Sequence, residues 1–359
     1  MKTVINEYKL NTAIPKILDT YFGGMRVGVF DIETLGLDPR STAMILSGIV
    51  EIADTHETAQ GLKEGESIVR ATQYFCEDPS EEAEVLEKTL EHLSAFDYIV
   101  TYNGRHFDIP FVSKRAKLHH LEGFKPNLYN LDIYLVLNGH SPFKKLLPNL
   151  KQKTVEEYFG LCESRADEIS GKESIDFYYS YLNCTDMQEK AEMERQILLH
   201  NHDDIVQLFR LIPALRKCDI HKAFSKLGFP VRGIEDIPAG ISWENVTVDS
   251  IKINSRNLEI AGRYGGEAVS YIGFNTWDHP YECTLKNDMT YEITCPVSGE
   301  KGSVYADLQE MQIDTESFEK LENYVNGYLI LKEKDEVHYR ELNALARELV
   351  FKMMSDTHL

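Results

Sequence analysis

The amino-acid sequence predicts an α/β protein in which a mixed sheet is flanked by helices and is followed by a smaller β-rich part. Three apolar, β-branched runs come first, and further short runs then alternate with segments of 3.6-residue periodicity. A strand meander that gives way to alternating strands and helices is typical of a mixed sheet with helices on both faces. After about Cys218, apolar residues alternate over short segments separated by turn residues, which is typical of an antiparallel meander.

The elements follow from these periods. Apolar and β-branched runs predict strands over residues 25–31, 44–54, 68–76, 98–102 and 127–131. Helical periodicity predicts helices over residues 80–94, 110–120, 153–159, 174–182 and 187–212. Pro213 is expected to end the last of these helices. Asp132 follows the fifth strand, where it is expected to cap a helix.

The same pattern predicts a division into domains. We expect an N-terminal extension over residues 1–20, a first domain over 21–217, a linker rich in proline and glycine over 218–245, and an accessory module over 246–359. The accessory module is expected to end in a helix near 339–354. Four of its aromatic residues are either core residues or exposed groups for base stacking, namely Tyr264, Tyr271, Phe274 and Trp277.

The first chemical motif is GVFDIETLGL, residues 28–37. Alternate residues of a strand point to the same face, so Asp31 and Glu33 are expected to emerge together where the strand ends. Ile32 between them turns into the core. A single D-x-E pair after an apolar run is a weak signal, because two solvated acids would look the same.

Two further motifs supply acids from other kinds of local structure. TYNGRHFDIPF, residues 101–111, places Asp108 near a helix N-terminus after a strand, where it either caps the helix or lines a cleft. HNHDDIVQL, residues 200–208, places His200 and Asp204 on one face of a helix at positions i and i+4. Carboxylates from three distant segments, without a thiol motif, suit the hard cations Mg²⁺ and Mn²⁺ and favour two-metal hydrolysis of a phosphodiester.

With these three motifs, the chain resembles the DEDD 3′–5′ exonuclease superfamily of the ribonuclease H-like fold. More narrowly, it resembles the YprB-type ribonuclease H-like domain and is similar to the proofreading domains of family B DNA polymerases. DIETLGL corresponds to the first exonuclease motif and YNGRHFDIPF to the second. The third motif has the spacing of the Y-x-x-x-D branch, but His200 stands in place of the tyrosine. The resemblance covers roughly residues 21–215.

The resemblance implies roles for individual residues. Two divalent ions, Mg²⁺ or Mn²⁺, would be held by Asp31, Glu33, Asp108 and Asp204. His200 would accept the proton of the attacking water, for which an imidazole with an ordinary pKa of about 6.5 is suited near neutral pH. Thr34 and Leu35 would contact the terminal nucleotide. Asn103 and Phe107 would line the cleft. The substrate would be single-stranded DNA or RNA with a free 3′ end.

Composition favours a cytoplasmic enzyme. No apolar run is long enough to span a bilayer, the N-terminus lacks an apolar signal-peptide core, and the six cysteines form no C-x-x-C pair. The net charge of −20 is unusual for a nucleic-acid binder, since phosphate contacts normally draw on a basic surface. Two local groups of basic residues either guide a nucleic-acid strand or are ordinary solvated charges. They are Lys114, Arg115, Lys117, Lys144, Lys145, Lys151 and Lys153.

Two alternatives to a processive nuclease stay open. The acidic surface mildly favours a phosphodiesterase that acts on short oligonucleotides or nucleotide-like small molecules. A non-catalytic nucleic-acid-binding module of the same fold is the other alternative. It is disfavoured because carboxylates buried without a cation are costly to retain.

Overall fold

The structure is a computed structural model of the 359-residue chain. It describes residues 1–11, 14–53, 63, 65–124, 128–161, 165–166, 171–231, 243–276, 280–300 and 302–357. The chain divides into two compact units. The first comprises Met1–Asp19 and Gly23–Cys218, and the second comprises Thr20–Phe22 and Asp219–Leu359.

The first unit is built on a six-stranded mixed sheet. Its strands are β1 (Lys2–Asn11), β2 (Val27–Thr34), β3 (Met44–Ile52), β4 (Glu66–Phe75), β5 (Tyr98–Thr101) and β6 (Tyr129–Asp132). The strand order is β1-β4-β3-β2-β5-β6. The four strands from β1 to β2 pair antiparallel, whereas β2, β5 and β6 pair parallel. The mixed sheet predicted from the sequence is therefore confirmed.

Helices lie between these strands along the chain or follow the last of them. They are α1 (Lys16–Phe22), α2 (Glu82–Leu93), α3 (Asp108–Leu118), α4 (Ile133–His140), α5 (Phe143–Leu146), α6 (Gln152–Tyr158), α7 (Gly171–Asn183) and α8 (Met187–Leu211), with 3-10 helices at Pro79–Glu81 and Ile212–Lys217. Local chemistry sets their ends. Asp186 caps α8 by accepting hydrogen bonds from the backbone N–H groups of Gln188 and Glu189. Pro110 lies in the first turn of α3, where a proline is tolerated.

Two hydrophobic clusters lie against the sheet. One joins Ile32 and Ile49 to apolar residues of α2 and α3, and the other joins Ile45 and Leu46 to apolar residues of α7 and α8. Ile49 faces the first cluster, whereas its neighbour Gly48 meets side chains of α8. Neighbouring strand residues point to opposite faces, so helices cover both faces of the sheet.

Helix α8 approaches β3 closely at Gly48. A Cβ atom on Gly48 would lie 2.2 Å from Oδ1 of Asn201 and 2.9 Å from Cδ1 of Ile205. Only a residue without a side chain fits between the helix and the strand there. The glycine thus sets the distance at which α8 carries its polar residues over the sheet.

The structure differs from the sequence-based prediction at both ends of the first domain. Residues 1–20, predicted to be an extension, include β1, which pairs along its whole length with β4. This edge strand is mostly exposed, so its sequence is too polar to stand out as a strand. Residues 218–245, predicted to be a linker, begin with a helix, α9 (Ile220–Leu227), capped by Asp219. Residues 232–242 of that prediction lie outside the described residues.

The second unit is β-rich and antiparallel, as predicted. Its strands are β7 (Phe229–Pro230), β8 (Trp243–Ile253), β9 (Asn257–Gly266), β10 (Tyr271–Gly273), β11 (Glu282–Leu285), β12 (Thr290–Pro296), β13 (Ser298–Glu300), β14 (Ser303–Asp307), β15 (Tyr324–Val325), β16 (Tyr328–Glu333) and β17 (Glu336–Val337), followed by the helix α10 (Tyr339–Asp356). One sheet has the order β10-β11-β12-β9-β8-β7. The other has the order β13-β14-β16-β15, with β17 paired to β16.

The aromatic residues of the second unit were expected to be either core or base-stacking groups. Tyr264 is fully buried, so it is a core residue. Phe274 is 70% exposed and Tyr271 is partly exposed, while Trp277 lies outside the described residues. Within the part of the chain that the structure describes, no helix is long and apolar enough to cross a membrane.

Gly48→Ala tests whether the close approach of α8 to β3 supports the fold. We expect the substitution to lower the free energy of unfolding by about 1–3 kcal/mol, the usual cost of overpacking. Gly123→Ala is the matched control, because a Cβ atom there has nothing within 4 Å. Urea denaturation measures both variants, and equal midpoints for the two would contradict the packing argument.

Candidate active site

The first two acids of the site lie side by side on β2. Asp31 and Glu33 are at positions i and i+2 and face α8, whereas Ile32 packs in the cluster with α2 and α3. Both acids lie inside the strand, which continues to Thr34, rather than beyond a strand that ends at Asp31. Glu33 is buried and Asp31 is partly exposed. The sheet itself therefore fixes the position of both carboxylates.

Asp108 joins them from the N-terminus of α3. Its carboxylate is 3% exposed and accepts hydrogen bonds from its own backbone N–H and from that of Ile32, the residue between the first two acids. Burial raises the pKa of Asp108 to about 7, with a further contribution from the carboxylate of Asp132. The hydrogen bond to Ile32 shows that the second motif contacts the first.

Helix α8 brings the third motif onto the same place. His200 is buried, and its Nε2 atom lies 3.6 Å from Oε1 of Glu33 and 3.8 Å from Oδ2 of Asp204. Ligand atoms of these three residues all lie within 4.8 Å of one another, a spacing that suits a single metal ion. Among the described residues, no other such group of histidine, cysteine or acidic side chains is found.

Electrostatic repulsion accompanies this convergence. Burial raises the pKa of Asp31 well above its ordinary value, and three neighbouring carboxylates raise it further. In order of size, those contributions come from Asp108, Asp204 and Glu33. The four acids that the motifs identified are therefore close enough in space to interact strongly.

A network that sequence analysis missed holds Asp31 in place. Asn201 is fully buried, and its Nδ2 donates a hydrogen bond of 3.1 Å to Oδ2 of Asp31. Gln73 of β4 donates to Oδ1 of Asn201 at 2.9 Å and to the backbone oxygen of Leu198 at 2.8 Å. A glutamine between Ala71 and Phe75, two buried apolar residues of β4, was the available signal, because a buried amide needs polar partners.

A second unpredicted group surrounds Asp204. Arg165 contacts Oδ1 of Asp204, and its Nη1 atom lies 3.0 Å and 2.8 Å from the two carboxylate oxygens of Glu156. Gln152, one turn before Glu156 on α6, donates to the backbone oxygen of Asp204 at 2.9 Å. The i, i+4 spacing of Gln152 and Glu156 was visible in the sequence, but nothing there linked α6 to α8.

The predicted substrate-contacting residues of the first motif differ in exposure. Thr34 is buried and its hydroxyl donates to the backbone oxygen of Gly36 at 2.8 Å. Leu35 is only partly exposed and packs against the cluster that includes residues of α7 and α8. In the same turn, Leu37 is 84% exposed. Leu37 is thus the apolar side chain of this turn that is available to a ligand.

The predicted substrate-contacting residues of the second motif, Asn103 and Phe107, lie just before α3. Asn103 has a positive φ of 65°, and its backbone N–H donates to Oδ1 of Asp132 at 2.9 Å. Asp132 also caps α4 through the N–H of Leu135, so its predicted role as a helix cap is confirmed. Phe107 is partly buried, with its ring centre 5.5 Å from that of Phe111. Its ring is mainly a packing group.

One of the basic residues predicted to guide a nucleic-acid strand forms a buried ion pair within the protein instead. Arg115 pairs with the carboxylate of Glu82, which is 2% exposed and also accepts a hydrogen bond of 2.8 Å from the N–H of Met44. Lys114 and Lys117 are exposed. Of the three basic residues that follow the second motif, two lysines are therefore available to a ligand.

The donor set fits divalent cations that prefer oxygen. Burial raises the pKa of both Asp31 and Asp108, and repulsion from Asp108, Asp204 and Glu33 raises that of Asp31 further. Countercharge of +2 or more relieves that repulsion directly. Carboxylate oxygens are the ligands that Mg²⁺ and Mn²⁺ favour. The side chains that converge here are oxygen and imidazole donors, which suit a divalent cation.

The class of protein follows from fold and family together. A model of the RNase H superfamily matches residues 29–216, more than half of the chain, and the chain belongs to this superfamily. The match begins within β2 and ends just after α8, so it includes the acids of all three motifs. The expected ribonuclease H-like fold is thereby confirmed. No curated protein matches the sequence.

One solved structure similar to this chain is the family B DNA polymerase from the hyperthermophilic archaeon Pyrobaculum calidifontis. The two share 15% sequence identity with a TM-score of 0.39, and the match covers 92% of this chain and 46% of the polymerase. The chain therefore spans less than half the length of that polymerase.

The stability of the metal-free protein should fall as the pH rises through the range in which Asp108 titrates. An unfolded aspartate has a pKa of about 3.9, whereas that of Asp108 in the folded chain is about 7. Between these values the folded state binds more protons than the unfolded state, so raising the pH lowers the free energy of unfolding. One such group contributes at most about 1.4 kcal/mol per pH unit.

Asp108→Asn should flatten this dependence between about pH 4 and 7 in EDTA, as measured by urea denaturation at several pH values. Asp186→Asn serves as the control. Asp186 caps α8 at the surface, its pKa is lowered by backbone hydrogen bonds, and asparagine preserves the cap. An Asp108→Asn profile as steep as that of the wild type would show that Asp108 is not the group responsible.

Proposed function

We propose that the protein is a metal-dependent 3′–5′ exonuclease of the DEDD type, related to the YprB-type domain. It would hydrolyse the phosphodiester bonds of single-stranded DNA or RNA in the cytoplasm. The observation that carries the proposal is the convergence of the three motifs. Asp108 bonds to the backbone between Asp31 and Glu33, and His200 lies within 4 Å of both Glu33 and Asp204.

In this proposal four side chains hold two Mg²⁺ or Mn²⁺ ions: Asp31, Glu33, Asp108 and Asp204. The ions supply Lewis-acid stabilisation of the reacting phosphate and of the attacking water. The protein fixes the positions of these carboxylates and of His200. Strand β2 fixes two of the carboxylates, the N-terminus of α3 fixes the third, and α8 fixes the fourth together with His200. Such fixed geometry reduces the reorganisation required in the transition state.

His200 is the proposed general base. Its Nε2 atom points toward Glu33 and Asp204, so the imidazole reaches the place where water would be activated. The His200 ring is buried, which restricts its rotation. A neutral imidazole accepts a proton from water at Nε2 and releases it to solvent after the bond is cleaved.

Substrate contacts are proposed for the turn after β2 and for the start of α3. Thr34 and Leu35 would line the pocket for the terminal nucleotide, with the more exposed Leu37 as the apolar group against the base. Asn103 and Phe107 would border the cleft. The proposed activity requires a free 3′ end, which is the feature that separates an exonuclease from an endonuclease.

A phosphodiesterase for short substrates is the second candidate, and the charge distribution favours it. The chain has a net charge of −20, and Arg115, at the centre of the basic group after the second motif, is bound to buried Glu82. On a chain of this net charge, a long strand would meet more acidic than basic groups. Two or three nucleotides would need only the metal site itself.

Labelled strands test the proposed activity. A 5′-labelled single strand should shorten stepwise with Mg²⁺ or Mn²⁺, stay intact in EDTA, and resist cleavage when it carries a 3′ phosphate. Asp108→Ala should abolish the reaction, with the inactive variant checked for folding by circular dichroism. A length series from dinucleotides upward separates the two candidates, because the second predicts fastest turnover of the shortest strands. Full activity in EDTA, or equal cleavage of a circular strand, would contradict the proposal.

His200→Ala should reduce the rate of hydrolysis by about 10²–10⁴-fold, the usual cost of losing a general base. In the wild type the rate should fall at low pH, because a protonated imidazole cannot accept a proton. His200→Tyr should recover part of the rate with an altered low-pH limb. His202→Gln is the control, since His202 faces away and bonds to the hydroxyl of Tyr8 at 2.7 Å. A His200→Ala enzyme with near-full activity across the pH range would exclude this role.

A further inference from the structure

Arg165 makes a forked contact that joins the candidate site to a buried acid outside it. One end of the guanidinium contacts Oδ1 of Asp204, and Nη1 lies within 3.0 Å of both oxygens of Glu156. The Arg165 side chain is 7% exposed and that of Glu156 is fully buried. A planar guanidinium bound to two carboxylates has little freedom to rotate.

The two oxygens of Asp204 have different surroundings. Oδ1 contacts Arg165, whereas Oδ2 lies 3.8 Å from Nε2 of His200, toward Glu33. A carboxylate whose two oxygens are distinguished in this way cannot rotate without breaking the contact with arginine. Its second oxygen is therefore presented toward the cluster that suits a metal ion.

Neighbouring contacts support the same arrangement. The backbone N–H of Ala166 donates to Oδ2 of Asp203 at 2.5 Å, so residues 165–166 are bound to α8 at two successive acids. Gln152 of α6 donates to the backbone oxygen of Asp204 at 2.9 Å. Asp204 is thus held at its side chain by Arg165 and at its backbone by Gln152.

The geometry points to Arg165 as a positioning residue that, anchored by Glu156, orients Asp204 for metal binding. The inference rests on the proposed function, because it assigns Arg165 a role at that metal site. Partners that orient metal-binding side chains typically contribute 10–100-fold to metal affinity. A guanidinium that merely occupied the place of a cation would have the opposite effect, since its removal would strengthen metal binding.

The charge-neutral double variant Arg165→Gln/Glu156→Gln separates orientation from charge. It removes one positive and one negative side chain, so the net charge near Asp204 is preserved. The EDTA-stripped, full-length protein is titrated with Mn²⁺ by calorimetry. We expect the dissociation constant to rise about 10–100-fold. The metal-free melting temperature should fall, because Asp204 loses its positively charged partner, and a cooperative unfolding transition shows that the variant is folded.

Arg195→Gln/Glu192→Gln is the matched control. It makes the same substitutions in an ion pair of 2.7 Å on α8 whose side chains are 57% and 55% exposed. We expect neither the Mn²⁺ affinity nor the melting temperature to change in this control. Arg165→Lys is the second test variant, in case the double variant does not fold. It keeps the charge but cannot reproduce the fork, so Mn²⁺ binding should again weaken.

The possible results lead to different conclusions. Mn²⁺ binding by the wild type, with equal or tighter binding by the folded Arg165 variants, would overturn the role of Arg165 alone. A wild-type protein that does not bind Mn²⁺ would overturn the proposed function and this role with it. Weaker binding in the Arg165 variants but not in the control supports the inference.

Discussion

Mutual repulsion among carboxylates is the constraint on which the arrangement of the first unit depends. Four acids converge: burial raises the pKa of Asp31 and Asp108, and the other three carboxylates raise that of Asp31 further. No folding advantage comes from placing them there, because an isolated buried charge is costly. The surrounding structure must hold the acids together against that cost.

Three structural features do so. The sheet holds Asp31 and Glu33 at alternate positions of β2, so that both side chains point to the same face. The backbone hydrogen bonds between β2 and β3 prevent the two acids from moving apart. Backbone N–H groups at the start of α3 and at Ile32 bind Asp108. On the third side, the glycine at position 48 lets α8 approach closely enough for Asn201 to bond to Asp31. Each feature belongs to the main fold, so the position of the site is set when the sheet and α8 come together.

The acids of this site could be predicted from the sequence because each belongs to a short string with a recognisable local structure. Asp31 and Glu33 alternate in a strand, and His200 and Asp204 are one helical turn apart. Most strands and helices of the first unit followed from the same periodicities. Strand β1 did not, because it lies at the sheet edge and is mostly exposed, so its alternation mixes polar residues on both faces. Helix α9 was missed because nearby prolines and glycines favoured a linker.

The residues that support the acids could not be predicted in this way. Arg165 and Asp204 are separated by 39 positions in sequence, and Gln73 and Asn201 by 128. Periodicity reports which face of an element a residue occupies, but not which other element that face meets. Such partners depend on tertiary packing. The clue that was present, a polar residue among buried apolar ones, indicates that a partner exists without saying where it lies.

The net charge of −20 has a consequence for the order of events at the proposed site. Without cations the cluster is a concentration of negative charge, and a phosphate would be repelled from it. Divalent ions held by these carboxylates would reverse the sign of the local potential, because they would be the largest charges in the site. Arg115 cannot substitute for them, since buried Glu82 already neutralises it. In the proposed enzyme, therefore, attraction of the substrate is created by metal binding at the four carboxylates rather than by a basic surface.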